Sequence, residues 1–264
     1  MSTLLTLHQA RLRLGGREMG PFSLNLQPGE RVAILGPSGA GKSSLLKLIA
    51  REHAPSAGQV CLDGQPLAQW QGSALAQRRA VLPQSSQVAF GLPVALVVAL
   101  GRVARRVDPD QPHIAQAALD WAHAGHLAER RFDSLSGGEQ ARVQLARVFA
   151  QLWDTQGGLL LVDEPLAALD PGLTLELMQA MRDFAAARGH ALVAVLHDLN
   201  LALNHFDRLW LVAGGQLRAD CGTGPAVLPL LAQLYGVRLR LLRDAEGVAV
   251  VAGPAQHRSA ERCA

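Results

Sequence analysis

Short apolar runs alternate along this chain with stretches of helical periodicity, the pattern of a mainly parallel sheet covered by helices. Positions 4–14 and 22–26 read as early strands, the second by the alternation of Phe22, Leu24 and Leu26. A turn at Pro28-Gly29 leads into a strand over 31–35, and 159–163 and 191–197 read as further buried strands. Apolar spacing predicts helices over 42–50, 111–124, 139–152, 171–187 and 226–235. Positions 85–134 keep a helical period with few strand signals and read as an insertion between two parts of a sheet domain. Near the end, 238–243 and 248–251 suggest a hairpin around Glu246-Gly247, followed by a disordered tail over 254–264. With no repeat or linker, residues 1–264 form one α/β domain.

Composition narrows the function classes. Hydrophobic residues make up 49 % of the 264, ample for a core, and the 18 % charged is low enough that partners are expected to cover part of the surface. A net charge of +3 with scattered arginines is no nucleic-acid footprint. Cys61, Cys221 and Cys263 form no CxxC pair, so neither a zinc site nor a disulfide framework is expected, which fits a reducing compartment. The start, Met1-Ser2-Thr3-Leu4-Leu5, lacks the basic and long apolar regions of a signal peptide. Positions 80–101 carry no charge, but Pro83, Gln84, Ser85, Ser86, Gln87 and Pro93 interrupt them, and a membrane span needs ~20 mostly apolar residues.

The chemistry begins at Gly36-Pro37-Ser38-Gly39-Ala40-Gly41-Lys42-Ser43, which matches GxxxxGK[ST] between a predicted strand and a predicted helix. Glycines let backbone N–H groups wrap a phosphate chain, and the helix N-terminus adds positive potential. Lys42 would reach the β- and γ-phosphates, and Ser43 would offer its hydroxyl to Mg²⁺. A chance match in a chain of this length is on the order of one in a hundred. A second element, Leu159 to Asp163 followed by Glu164, places adjacent acids where ligands of open α/β sheets sit. There Asp163 can orient Mg²⁺, and Glu164 can polarise an attacking water. Alone, such a strand end is weak; after a phosphate loop it is strong. His197 ends another apolar run and should emerge at the same edge, able to hydrogen-bond a γ-phosphate.

Leu135-Ser136-Gly137-Gly138-Glu139 carries the most information. Ser136 and Glu139 form a capping box for the helix that follows. A capping box does not need Gly137 and Gly138, which weaken a helix start; paired glycines there suit a second phosphate approaching bare backbone.

Together these residues resemble the nucleotide-binding subunit of ABC transporters, over nearly the whole chain. Gly36 to Ser43, with Ser44, resembles the phosphate loop, 159–164 the magnesium strand, and 135–139 the family signature with Glu139 where Gln is also common. Ala168-Leu169-Asp170 resembles the loop that crosses the dimer interface, Gln84 the lid-sensing glutamine beside the metal, and His197 the switch histidine. The resemblance implies a P-loop ATPase fold with a mainly parallel core sheet, an N-terminal antiparallel β subdomain and the helical insertion. It also implies ATP and Mg²⁺ as ligands and a head-to-tail homodimer, in which each ATP lies between one phosphate loop and the other copy's Ser136 to Gly138. One departure stands out. Family members place an aromatic before the Gly15-Gly16 turn, against adenine; Leu14 holds that position here, and the only tyrosine, Tyr235, is far along the chain.

Within the family, 81–84, 92–94, 99–102, 197–202 and 234–237 resemble the ATPases of iron-siderophore, cobalamin and haem importers, and 80–90 and 150–158 those of haem importers. This implies two copies on the cytoplasmic face of a bacterial inner membrane. Two copies of a multi-helix permease and, indirectly, a periplasmic haem-binding protein complete the assembly, with no nucleic acid. No pair among the nine histidines suits axial ligation, so haem is not expected to bind here. A siderophore-iron or cobalamin importer is the alternative. A soluble ABC-type ATPase of DNA repair or translation is remote, because such chains usually carry coiled-coil or zinc-binding insertions or two ATPase domains.

Overall fold

Three strands whose residues are almost all buried make the centre of the molecule: β3 (Arg31–Leu35), β7 (Leu159–Asp163) and β8 (Ala191–Val195). Both faces of these strands are covered, which is why they read as continuous apolar runs. Because side chains alternate across a strand, the two faces feed two cores. Val32, Ile34, Leu159, Leu161, Ala191 and Val193 join one, while Ala33, Leu35, Leu160, Val162, Leu192 and Ala194 join the other. The computed structural model describes residues 3–84, 91–164, 169–243 and 248–254. The six-stranded sheet has the order β10-β9-β3-β8-β7-β6, with β6 (Arg79–Leu82), β9 (Arg208–Ala213) and β10 (Gln216–Gly222). All neighbours are parallel except β9 and β10.

A second, antiparallel sheet of order β2-β1-β4-β5 joins β1 (Leu5–Leu14), β2 (Arg17–Leu26), β4 (Ala57–Leu62) and β5 (Gln65–Pro66). Its strand β2 begins well before Phe22. Residues 17–21 are too polar to show alternation, yet they pair with the end of β1, Met19 opposite Leu12 and Arg17 opposite Leu14. Glu18 ties this pairing by taking both Arg11 and Arg13.

The helices follow their caps. In α1 (Lys42–Ile49) the N-cap is Gly41, with a left-handed φ of 100°, and a short α2 (Gly72–Arg78) precedes β6. Between β6 and β7 the described residues are mainly helical, with α3 (Val94–Ala99), α4 (Gln111–Trp121) and α5 (Gly137–Leu152) packed on one another through Val97, Val98, Ala118, Leu119, Val143 and Phe149. The turn after α3 is docked on the end of α5 by Arg102, which is buried and reaches Asp108, Asp154 and the Ala150 carbonyl. Helix α5 starts at Gly137 rather than Glu139, because the capping box begins it directly after Ser136. Helix α6 (Pro171–Arg188) starts at a Pro after its N-cap Asp170 and stops at Gly189, which is left-handed. The strand expected over 191–197 ends at Val195, so His197 lies beyond the sheet, before α7 (Leu199–His205). Helix α8 (Leu228–Tyr235) leads into a two-stranded sheet of β11 (Val237–Arg243) and β12 (Val248–Pro254). Pro254, assigned to the tail, instead pairs with Val237. The Glu246-Gly247 turn and positions 255–264 lie outside the described residues.

The start of β7 is set by His190, just past α6. Its Nδ1 accepts from the Gly158 N–H at 2.9 Å, and its side chain is buried beside Phe184. Burial, reinforced by the Arg188 guanidinium, pushes its pKa down to about 4. The unfolded chain therefore binds one more proton between pH 6.5 and 4, and this contribution to stability is present above that window and lost as pH falls through it. Urea unfolding should show a loss of up to about 3 kcal/mol over the window in the parent relative to His190→Leu. Parallel pH profiles for the two proteins would contradict it.

Candidate functional site

The site grows from the C-terminal edge of β3, β7 and β8. After Leu35, Gly36 passes so close to β9 that an added Cβ would lie 2.0 Å from the Val212 carbonyl oxygen; only glycine lets the loop leave the sheet here. Gly39 and Gly41 then take left-handed φ values of 73° and 100°, folding Gly36 to Gly41 back onto the start of α1. Lys42 is buried, and its Nζ donates to the carbonyls of Gly36 at 3.0 Å and Pro37 at 3.2 Å. Burial pulls its pKa down, against the opposing pull of Glu164 and Asp163.

Ser43 donates its hydroxyl to Asp163 Oδ1 at 2.8 Å, joining α1 to the end of β7. Glu164 follows with φ 48°, a left-handed conformation that a side chain other than glycine adopts at a cost of roughly 1–2 kcal/mol. That backbone turns its carboxylate onto two neighbours, His197 Nε2 at 2.6 Å and the Gln84 amide at 3.3 Å. Three residues from three distant segments therefore meet around one carboxylate. Glu164 and His197 border two cavities. One, of about 600 Å³, is floored by Ser38 to Ser44 and walled by Leu14, Arg17, Glu18, Met19, Gly214 and Gly215. The other, of about 580 Å³, opens between α6 and α7 and includes Leu169, Leu175 and Leu201.

The signature residues stand elsewhere. None of Ser136, Gly137, Gly138, Glu139 and Asp170 lines the cavity at the phosphate loop. Ser136 Oγ accepts from the Glu139 N–H, and Glu139 accepts from the Ser136 N–H at 2.8 Å. The Ser136 N–H, and then its hydroxyl, hold the Glu139 carboxyl below its ordinary range, with Arg130 adding to this. The two glycines differ. A Cβ at Gly138 would meet Leu173 of α6 at 2.6 Å, so its smallness serves packing within the chain, whereas nothing lies within 4 Å of one at Gly137. Asp170 caps α6 by accepting from the Leu173 N–H. Ala168 lies outside the described residues.

Two features escape sequence reasoning. Tyr235, distant along the chain, places its hydroxyl 3.0 Å from the Gly36 N–H, which donates to it. Around Leu14, Arg11 and Arg13 are engaged by Glu18, and it is Arg17 and Met19 of β2 that join Leu14 at the cavity wall. The cross-strand register of Leu14 with Arg17 was the available signal, hidden because β2 does not alternate before Phe22.

The family described as "ABC transporter" matches residues 19–167. This chain belongs to the ABC transporter family. It is 48 % identical over 230 residues to hemin import ATP-binding protein HmuV of Pseudomonas fluorescens Pf-5, covering 85 % of this chain and 89 % of that protein. With HmuV of Pseudomonas aeruginosa PAO1 it shares 44 % over 249 residues, 92 % of this chain and 96 % of the relative. Its fold superposes on a metal-chelate type ABC transporter in an inward-facing conformation with a TM-score of 0.79 at 23 % identity, covering 96 % of this chain and 98 % of that one. A nucleotide-free ATP-binding cassette from an ABC transporter gives 0.76 at 20 % identity, over 88 % and 97 % of the two chains. As an ABC ATPase the chain binds and hydrolyses ATP. Among the described residues, no helix is long and apolar enough to cross a membrane.

Gly36→Ala tests the first step of this geometry. Forcing a methyl group into the β9 backbone should destabilise the ATPase by about 1–3 kcal/mol or more in chemical unfolding. Parent-like stability would mean that the loop does not need its close approach to Val212.

Proposed function

We propose that this chain is the ATP-hydrolysing subunit of a bacterial haem importer and that its site is completed by a second copy. The observation that carries the catalytic half is the meeting of Gln84, Glu164 and His197 beside the Ser43–Asp163 pair and Lys42. Lys42 exchanges its two carbonyl partners for β- and γ-phosphate oxygens, retaining hydrogen bonds as it gains charge pairing. Residues Gly36 to Ser44 wrap the phosphates with backbone N–H groups. Glu164 takes the proton of the attacking water, and His197 holds that carboxylate in line. The hydroxyl of Ser43, the carboxylate of Asp163 and the amide oxygen of Gln84 are the hard donors that suit Mg²⁺. Bound there, Mg²⁺ would supply charge neutralisation to the phosphate oxygens.

The second copy enters because Ser136 to Gly138 sit away from the chain's own phosphate loop. At the start of α5, with open space at Gly137, they form a surface that a γ-phosphate held by another copy can approach. Two copies closing head to tail, with Asp170 at the crossing, give two composite sites. The wall of Leu14, Met19 and the guanidinium of Arg17 covers the base with apolar and cation–π contact.

Gly137→Asp separates the two roles of this segment. An acidic residue in the first turn of α5 should leave stability unchanged or slightly raised. Hydrolysis should nonetheless fall to background by repulsion of the opposite phosphate, while ATP still binds each monomer. Retained hydrolysis would argue against a composite site.

Haem as cargo is supported by relatives named for hemin import at 42–48 % identity. In this reading two copies sit on the cytoplasmic face of the inner membrane under a two-subunit permease, and the helical stretch over 91–134 meets that permease. A periplasmic protein delivers the haem. ATPase activity of the membrane-embedded complex should rise with a haem-loaded capture protein, while the isolated subunit ignores haem. Deleting the gene should impair growth on haem as sole iron source and spare growth on siderophore iron or cobalamin. The opposite growth pattern would favour the siderophore or cobalamin alternative.

A further inference from the structure

Gly36, where β3 hands over to the phosphate loop, is buried with both backbone hydrogen-bonding groups taken. Its carbonyl accepts from Lys42 Nζ at 3.0 Å, and its N–H donates to the Tyr235 hydroxyl at 3.0 Å. On another side the Val212 carbonyl leaves no room even for a Cβ. The residue is thus clamped between β9 and Tyr235, with the phosphate-loop lysine resting on it.

Tyr235 is placed for this by the geometry of α8. It is the last residue of that helix, which Leu231 anchors in the core and which Gly236 ends with a left-handed φ of 65°. The hairpin that follows is pinned in turn, because the Val250 N–H donates to Asn200 Oδ1 on α7 at 2.6 Å. The hydroxyl therefore comes from a segment held at two further points, rather than from a free tail.

We propose that Tyr235 is a positioning residue for ATP binding, whose hydroxyl fixes Gly36 and through it the resting place of Lys42. The proposal rests on Gly36 to Ser43 being the phosphate site. When ATP arrives, Lys42 must leave the Gly36 and Pro37 carbonyls, and the loop must keep its shape through that exchange. Without the hydroxyl a buried N–H is left without a partner, and the loop relaxes to satisfy it. The effect falls on nucleotide binding rather than on the proton transfer at Glu164, because Tyr235 touches neither Glu164 nor His197 among the described contacts.

The test uses the full-length subunit with Mg²⁺ and ATP, and measures ATP affinity by calorimetry, kcat and KM by phosphate release, and Tm. Tyr235→Phe should raise Kd and KM about three- to tenfold, the range expected for one lost hydrogen bond, with kcat at saturating ATP unchanged. Asn200→Ala, which frees the hairpin but leaves Leu231 in the core and the Tyr235 hydroxyl on Gly36, should weaken ATP binding far less than Tyr235→Phe. Lys42→Ala should lose binding in the same assay. If Lys42→Ala loses binding but Tyr235→Phe does not weaken it, the positioning role is overturned and the phosphate site stands. Equal weakening in Tyr235→Phe and Asn200→Ala, in step with lowered Tm, would also overturn it by reducing Tyr235 to packing. Intact binding in Lys42→Ala would remove the phosphate site itself.

Discussion

A triphosphate leaves water only where charge and hydrogen-bond donors replace its hydration, and the site proposed here gathers such groups along one sheet edge. Strands β3, β7 and β8 run parallel, so their carboxyl-terminal ends open on the same side. From β3 come the loop and Lys42, from β7 Asp163 and Glu164, and from just beyond β8 His197. The hydrogen bond between Ser43 and Asp163 ties the first two together. Parallel pairing of buried strands is therefore the constraint on which the site depends. A slip of one residue in β7 would move Asp163 to the other face, because side chains alternate.

The same edge carries opposed charges held in reserve. Lys42 is buried against carbonyls with two carboxylates near, and burial disfavours its ammonium form against their pull. Glu164 has a left-handed backbone and is shared between His197 and Gln84, which belong to segments on either side of it in the sheet. Gln84 follows β6, next to the helical segment, so a change at the carboxylate is felt at the root of that segment. In the proposed importer, this shared side chain is the physical route that links hydrolysis to permease movement.

Sequence alone made the glycine turn before α1, the acids at the end of β7 and the capping box of Ser136 and Glu139 legible, because each depends on neighbours within a few residues. The buried strands β3, β7 and β8 were legible for the same reason. Strands β4, β6, β9 and β10 were not named, since short mixed stretches such as Ala57 to Leu62 acquire their form only by pairing with a neighbour. The meeting of Gln84, Glu164 and His197 depends on long-range topology. So does the reach of Tyr235 to Gly36, which no local pattern announces. Gly138 shows a subtler limit: its role looked like phosphate approach, yet within the chain it also makes room for Leu173.

The central claim is that hydrolysis needs two copies, with Glu164 as base at each composite site. Sedimentation of Glu164→Gln with and without Mg²⁺ and ATP tests it most directly. Removing the base while keeping the shape of the side chain should stall the cycle after closure. The variant should sediment as a dimer with ATP and as a monomer without it. A monomer at saturating ATP would contradict the account.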